Sequence, residues 1–483
     1  MSMKRQKSVV NTLNIIALST FLSGCALVPD LGESPRIKPV EVYEAKDTLA
    51  PSTNGSWPQS VWWHTYGDQQ LSALIEEALA KNPTLVQADA RVRMAAAVAE
   101  QTGANLYPNI SANGSYSNLR QSYNIGVPVP EGQRDTAAAT LDLRYQLDFW
   151  GKNRALLAAA TSETEAARLE KEQASLLVST SIAAAYANLA QLYANLDAAN
   201  DALRVRQKSV ELIRQRQQNG LENLGSYEQE IAAVASADAE IEAIKEHIAL
   251  AKNALVALMG VGPDRAQSIE RPDIQKLTPF GLPDNLPAEL LGRRPDIVAA
   301  KLQAEAASNR TDAAKASFYP NVNLVGSVGQ SVLGLGYFGA ADSLVAAIGP
   351  TVSLPIFDGS RLRGAYRQAR AGTDAAVATY DATLQNALHE VADVVTSEKM
   401  LAPRLEKTTA ALKASEKAYT VINNRYVGGL AGYLEVLRSE DALIANQRAL
   451  ADLKTRSFTL DVALVRALGG GFAATEASAK QEK

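Results

Sequence analysis

Cysteine is almost missing from this 483-residue chain: Cys25 is the single one, which excludes an intramolecular disulfide framework. Histidine occurs three times, as His64, His247 and His389, in unrelated segments. No CxxC, P-loop or HExxH pattern accompanies them, so no catalytic or metal-ligating constellation can be assembled. His247 and His389 read as helix-surface or packing residues, and an enzyme is not expected. Aromatic residues are only 6% of the chain. Beyond the N-terminal stretch no apolar run reaches about 18 residues, so no transmembrane helix is expected. The net charge of −4 gives no electrostatic footprint for nucleic acid.

The lone cysteine has an informative setting. Lys4, Arg5 and Lys7 precede a mainly apolar stretch from Val9 to Leu22, and Leu22-Ser23-Gly24-Cys25 follows. This is a secretory signal ending in a bacterial lipobox, with residues 1–24 removed and Cys25 becoming the mature N-terminus. The cysteine would carry a diacylglycerol and an N-acyl chain, each buried CH₂ contributing about 0.8 kcal/mol of anchoring. Ala26 supplies no acidic inner-membrane retention signal. No other cofactor and no metal is expected.

What the chain has in quantity is repetition. "LYPNISANGSYS" from Leu106 returns as "FYPNVNLVGSVG" from Phe318, an offset of 212 (318 − 106). "NPTLVQADARVRMAAA" from Asn82 matches "RPDIVAAKLQAEAASN" from Arg294. "FWGKNRA" at Phe149 parallels "FDGSRLR" at Phe357, "RQQNGL" at Arg216 parallels "RYVGGL" at Arg425, and "LVALMG" at Leu255 parallels "LVRALG" at Leu464. The order is kept and the offset drifts by only four residues (212 − 208). Such self-similarity marks two structural repeats. The segments are a lipidated N-terminal and equatorial region over 25–65, repeat one over 66–259 and a Pro-rich linker over 260–287. Repeat two follows over 288–470, and a flexible C-terminal tail over 471–483.

Each repeat begins with a helix, Gln69–Asn105 and Pro287–Ser317, passes through two alternating segments, and ends in a helical hairpin, 152–259 and 360–468. Lys152 to Asn219 holds neither Gly nor Pro, a stretch of 68 residues (219 − 152 + 1). At 1.5 Å per residue it would be on the order of 100 Å long. A compact domain does not use such helices, which implies a coiled-coil or tubular arrangement.

The alternating segments separate these options. Leu141, Leu143, Tyr145, Leu147 and Phe149 alternate with Asp142, Arg144, Gln146 and Asp148. Ile348, Pro350, Val352, Leu354 and Ile356 repeat the pattern, as do shorter runs near Ile110 and Val322. Four strands are expected, over 107–118, 140–149, 319–330 and 347–357, joined in pairs by long Gly/Pro loops over 119–139 and 331–347. Their length suits a tilted membrane strand, with one apolar face toward lipid and one polar face toward a wet lumen. Four strands cannot close a barrel, and open edges in hydrocarbon cost several kcal/mol per unpaired group. The chain must therefore oligomerise. Two copies would supply eight strands and three would supply twelve. The Tyr107-Pro108 and Tyr319-Pro320 steps then mark where helix gives way to strand: proline stops the helix and tyrosine suits the membrane interface. Trp150 marks a return crossing.

"WWHTYGDQQLSALIEEALAKNPTL" (Trp62–Leu85), "LLGRRPDIVAAKLQAEAASNRTDAAKASFYPNVNL" (Leu290–Leu324), "LPIFDGSRLR" (Leu354–Arg363) and "LGGGF" (Leu468–Phe472) resemble the TolC-like outer membrane factor family. The likeness is to its lipoprotein branch of NodT-type efflux transporter subunits. It implies a homotrimer, mainly α with membrane β. Four strands per chain would build a 12-stranded β-barrel continuous with a long coiled-coil α-helical barrel in the periplasm of a Gram-negative cell. The implied function is the outer-membrane exit duct of a tripartite efflux pump, passively conducting drugs and toxic small molecules. A periplasmic adaptor and an inner-membrane transporter would be its partners. "QLDFWGKNR" (Gln146–Arg154) looks closer to members serving major-facilitator pumps than to those serving resistance-nodulation-division pumps.

The resemblance also implies an iris-like gate at the two hairpin turns, 219–226 and 427–433. Arg425, Tyr426 and Gly429 match an arginine–tyrosine pair and turn glycine, and Leu434 matches a pore-constricting leucine. Glu222, Glu228, Glu230, Glu435, Glu440 and Asp441 lie nearby, and in a trimer each acidic position becomes a ring of three. The chain departs from the pattern at Arg438, where many members carry aspartate, and at Asp441, where they carry arginine. That swap would keep a salt bridge while changing what faces the lumen, and it leaves cation selectivity open. Two alternatives stay open as well: a type I protein-secretion duct, and a non-channel periplasmic coiled-coil scaffold.

Overall fold

The computed structural model describes residues 28–38, 42, 57–120, 133–273 and 291–473. Cys25 and its signal, the second half of the linker (274–287) and the last ten residues lie outside the described residues.

Helix α1 (Gln69–Lys81) starts where the Asp68 carboxylate accepts the Leu71 N–H at 3.0 Å, satisfying one of the orphan donors of the first turn. It ends one residue before Pro83, because proline forces its predecessor out of the helical region: Asn82 sits at φ −63°, ψ 123°. Helix α2 (Pro83–Gly103) then begins on the proline itself. The single helix expected over Gln69–Asn105 is thus two helices. Strands β1 (Asn109–Arg120) and β2 (Gln133–Leu147) follow, then α3 (Lys152–Gln218) and α4 (Leu224–Met259). Helix α5 (Pro295–Ala316) opens the second repeat, with β3 (Asn321–Leu333), β4 (Leu344–Ser353), α6 (Arg361–Val427) and α7 (Tyr433–Ala467) after it. Helix α6 runs unbroken through Gly364, Gly372 and Pro403.

The four strands form one antiparallel sheet in the order β1-β2-β3-β4. Asn109 faces Arg144 across β1 and β2, and Asn321 faces Ser353 across β3 and β4. The two hairpins therefore repeat one another at offsets of 212 (321 − 109) and 209 (353 − 144). Leu143 lies opposite both Ile110 and Gly326, and Leu141 opposite Val328, on the apolar face. Asp142 lies between Ser111 and Ser327 on the polar one. Strands β1 and β4 are the edges.

The strands differ from the alternation in extent. Strand β2 begins at Gln133, not at 140, because Ala137, Ala138 and Ala139 are strand residues whose small side chains carry no apolar–polar signal. Strand β3 runs to Leu333, and β4 spans Leu344–Ser353, ending before Pro355. The β3–β4 connection is accordingly ten residues, 334–343, with two short 3₁₀ turns. The residues 107–108 and 319–320 lead into strands rather than belonging to them.

Two compact units cut across the two sequence repeats. One contains Val92–Ala167 and Ala300–Tyr380, which comprise the sheet and the helical segments flanking it. The other contains Arg168–Ala299, Asp381–Lys483 and the residues from Lys38 to Arg91. In the second, Trp62, Tyr66, Leu71, Leu74 and Ile75 are buried with Tyr186, Leu255, Met259, Phe458 and Val462. The Tyr66 hydroxyl donates to Asp461 at 2.5 Å. In the same unit Arg294 is buried and makes a fork to Asp296 (3.1 and 2.7 Å), a bond to Glu390 (2.8 Å) and one to the Ala467 carbonyl (3.1 Å). Gly469 follows α7 at φ 88°, and a Cβ there would stand 2.0 Å from the Arg293 carbonyl oxygen. Gly471 is packed the same way against the Gln59–Ser60 backbone, so residue 471 itself is held in place.

Candidate functional site

The two hairpin turns of the larger unit are built alike. Gly220 and Gly429 take the left-handed conformation (φ 71° and 74°), where glycine meets no Cβ penalty. Leu221 N–H bonds the Arg216 carbonyl and Leu430 N–H the Arg425 carbonyl, both at 2.8 Å. The α4 turn is capped by Asn223, whose side chain accepts from Ser226 N–H at 2.9 Å.

Tyr426 sits buried between the turns. Its hydroxyl donates to Glu222 at 2.9 Å, and the other Glu222 oxygen accepts from Ser226 at 3.1 Å. The Arg216 guanidinium lies 4.5 Å from the Tyr426 ring centroid and donates to the Tyr426 carbonyl at 3.0 Å. Cation–π attraction and a charge-assisted hydrogen bond thus hold α3 to the end of α6. Burial, followed by the hydrogen bond to Glu222, pushes the Tyr426 phenol far above its usual range, so it stays a donor. Arg425 reaches only its own turn, donating to the Leu430 carbonyl at 3.2 Å.

A second cluster lies deeper between the four helices. The Tyr433 hydroxyl donates to Glu230, which is fully buried. Glu440 is 1% exposed; Ser209 donates to it at 3.1 Å and the Arg206 Nε stands 3.8 Å away. Arg206 also bonds Asp441 at 3.0 Å. Desolvation, then repulsion from Glu230, pushes Glu440 up to about 7. Desolvation raises Glu230 as well.

Of the gate residues expected from sequence, Tyr426, Glu230 and Asp441 enter these networks. Arg438, Leu434 and Glu228 are exposed, and Arg438 makes no ion pair among the described residues. Asp441 pairs with Arg206 of α3 instead, so the swapped charges do not form the expected mutual bridge. Sequence reasoning missed Arg206, Ser209 and Tyr433. It also missed Arg216, although the duplication marks it as the counterpart of Arg425.

The strand ends of the other unit bring Trp150, Tyr319 and Pro320 together. The Trp150 and Tyr319 rings stack with centroids 4.8 Å apart, and the indole N–H donates to the Pro320 carbonyl at 2.8 Å. Tyr107, two residues before β1, is exposed and makes no such stack among the described residues. Asp148 accepts the Asn153 and Arg154 N–H groups at 3.1 and 2.9 Å, starting α3 where β2 has ended.

This combination of a split four-stranded sheet, duplicated long helices and paired glycine turns has known counterparts. The model of the family described as "Outer membrane efflux protein" matches residues 74–261 and 286–470. The chain belongs to the outer membrane efflux protein family. Among solved structures, the outer membrane protein VceC of Vibrio cholerae superposes with a TM-score of 0.82 and 47% identity, over 86% of this chain and 100% of that one. The fusaric acid resistance protein FusA of Burkholderia cepacia is 34% identical over 74% of this chain and 69% of its own. The multidrug resistance outer membrane protein MdtP of Escherichia coli K12 is 29% identical over 97% and 98%. An outer membrane efflux protein is a passive channel and not an enzyme. Its fold is that of the TolC-like outer membrane channels.

Proposed function

We propose that this efflux protein is the outer-membrane duct for small toxic organic molecules, assembled from three copies and held shut at rest by its hairpin turns. The observation that carries this reading is the four-stranded sheet with an apolar face, a polar face and two unpaired edges. Open edges are not tolerated in hydrocarbon, and three such sheets make a closed 12-stranded wall. Relatives named for fusaric acid and multidrug resistance support organic cargo. In this reading Tyr426, Arg425, Leu434, Arg438, Asp441, Glu228 and Glu230 surround the closed end. A periplasmic adaptor joins the duct to an inner-membrane transporter of the major-facilitator or resistance-nodulation-division kind. Tyr107, Pro108, Trp150, Tyr319 and Pro320 stand at the membrane interface, and an acylated Cys25 adds a lipid anchor. Dye and drug retention in a deletion strain, with and without the restored gene, tests the proposal. Restored efflux supports it. Unchanged retention with a protein lost from the culture supernatant would replace it by a secretion duct.

A further inference from the structure

Four helices enclose the Glu230–Glu440 cluster, and the charge count inside it does not balance. From α4 comes Glu230, with no exposed surface and its Oε1 without a hydrogen-bond partner. From α7 come Glu440, whose Oε1 has no hydrogen-bond partner and only the distant Arg206 charge beside it, the Tyr433 phenol, and Asp441 at the surface. From α3 come Arg206, the one cation in the group, and the Ser209 hydroxyl. From α6 comes Tyr419, which faces Ser209, Glu440 and Glu230. Three carboxylates therefore share one guanidinium. Asp441 takes its direct bond at 3.0 Å, leaving Glu440 a looser contact at 3.8 Å. Burying a second uncompensated carboxylate is strongly unfavourable. Neutralising it by a proton is the ordinary resolution.

We propose that the helix-tip region carries a proton latch: the closed packing of the two hairpins holds a proton on the Glu230–Glu440 pair, with Glu440 as its seat, and opening releases it. The idea rests on the gate reading above and adds its regulation. The latch is distinct from the Tyr426–Glu222 contact, whose carboxylate is partly open to water.

The sign follows from linkage. In closed packing Glu440 titrates at about 7, and a hydrated carboxyl in the opened tip returns toward 4.5. The closed state binds the extra proton between those two values. Closure is therefore strongest at the acid end of the window. It weakens as pH rises to about 7 and changes no further above it. Within the window each protomer's proton shifts the equilibrium by up to about tenfold per pH unit.

The test uses the full-length protein in planar lipid bilayers, with the pH on the helix side stepped from about 5 to about 8. Wild-type open probability should rise up to about 7 and then level off. Glu440→Gln, which keeps the shape and cannot ionise, should remain at the low acid-side value throughout. A flat wild-type profile overturns the latch, and so does a Glu440→Gln profile that keeps the wild-type slope. Infrared difference spectra of the same protein in detergent read the proton without conduction. Glu398, also pushed up to about 7 by burial and by Asp461, contributes equally to both proteins, so the signal is the wild-type-minus-Glu440→Gln difference: it should contain a protonated-carboxyl band on the acid side that vanishes as pH passes about 7. Its absence from that difference overturns the latch by itself. A titrating band in a protein that forms no channel would support the proton seat and reject the duct.

Discussion

Arg216 and Arg425 occupy equivalent places in the two repeats, and each accepts the same turn-closing backbone bond at 2.8 Å, yet their side chains do different work. Arg216 crosses to the other hairpin and covers the Tyr426 ring, whereas Arg425 stays on its own turn. The duplication preserved the backbone device and let one arginine become a tie between hairpins.

That difference ranks the effects of substitution. Arg216→Ala removes a cation–π contact of about 1 kcal/mol and a charge-assisted bond of roughly 1.5–3 kcal/mol. Tyr426→Phe removes the hydroxyl bond to Glu222 and leaves the ring in place. Both should raise resting conductance in lipid bilayers, Arg216→Ala by more than tenfold. Arg425→Ala should raise it less. The reverse order would assign the closure to the α6–α7 turn alone.

The long helices were legible in the sequence because Gly and Pro are absent from 152–219, and the strands because apolar side chains alternate near Leu141 and Ile348. The start of β2 was hidden by Ala137–Ala139, whose parity has no chemical contrast. The break at Pro83 was written in the sequence as Asn-Pro. The polar cluster was not legible for a different reason. Arg206 and Ser209 lie in mid-helix among many similar residues, and Glu440 and Glu230 look like solvated charges. Only the packing of α3, α4 and α7 buries them together.

Arg294 lies in the RRPDI segment that resembles the family most specifically, and its buried fork explains the wording of that segment. Pro295 starts α5, Asp296 accepts both guanidinium bonds, and Glu390 and Ala467 tie α6 and α7 to the same group. Arg294→Ala leaves the buried Ala467 carbonyl unmatched and removes the ties to Asp296 and Glu390, whose carboxylates are partly open to water, a loss of roughly 1–3 kcal/mol. The thermal midpoint by circular dichroism should fall clearly. Arg294→Lys should fall short of full recovery because one ammonium cannot form the planar fork.

Mass spectrometry of the membrane fraction tests the lipobox directly. The mature chain should begin at Cys25 and carry three acyl chains, while Cys25→Ser should carry none. The barrel strands supply a separate hold on the membrane, so the serine variant should still be found in the outer membrane. A wild-type chain that keeps residues 1–24 would remove the lipoprotein reading.

The duplication also predicts the register of the seam between copies. If copies follow one another as the repeats do, the β2–β3 pairing recurs between β4 and the β1 of a second copy. Residues of β2 correspond to β4 at an offset of 209 (353 − 144), and residues of β3 to β1 at 212 (321 − 109). Asp142 opposite Ser327 then becomes Thr351 opposite Ser115 of a second copy. The offsets keep apolar residues on one face, whereas a slip of one residue would turn Ile348 and Val352 into the lumen. Directly opposed antiparallel residues lie about 4.5–5.5 Å apart, within disulfide reach. Ser115→Cys with Thr351→Cys should therefore give covalent trimers on a non-reducing gel. Asn113→Cys with Thr351→Cys, two positions out of register, should cross-link far less. Efficient linkage of the second pair and none of the first would mean that copies join in a register different from the one inside each chain.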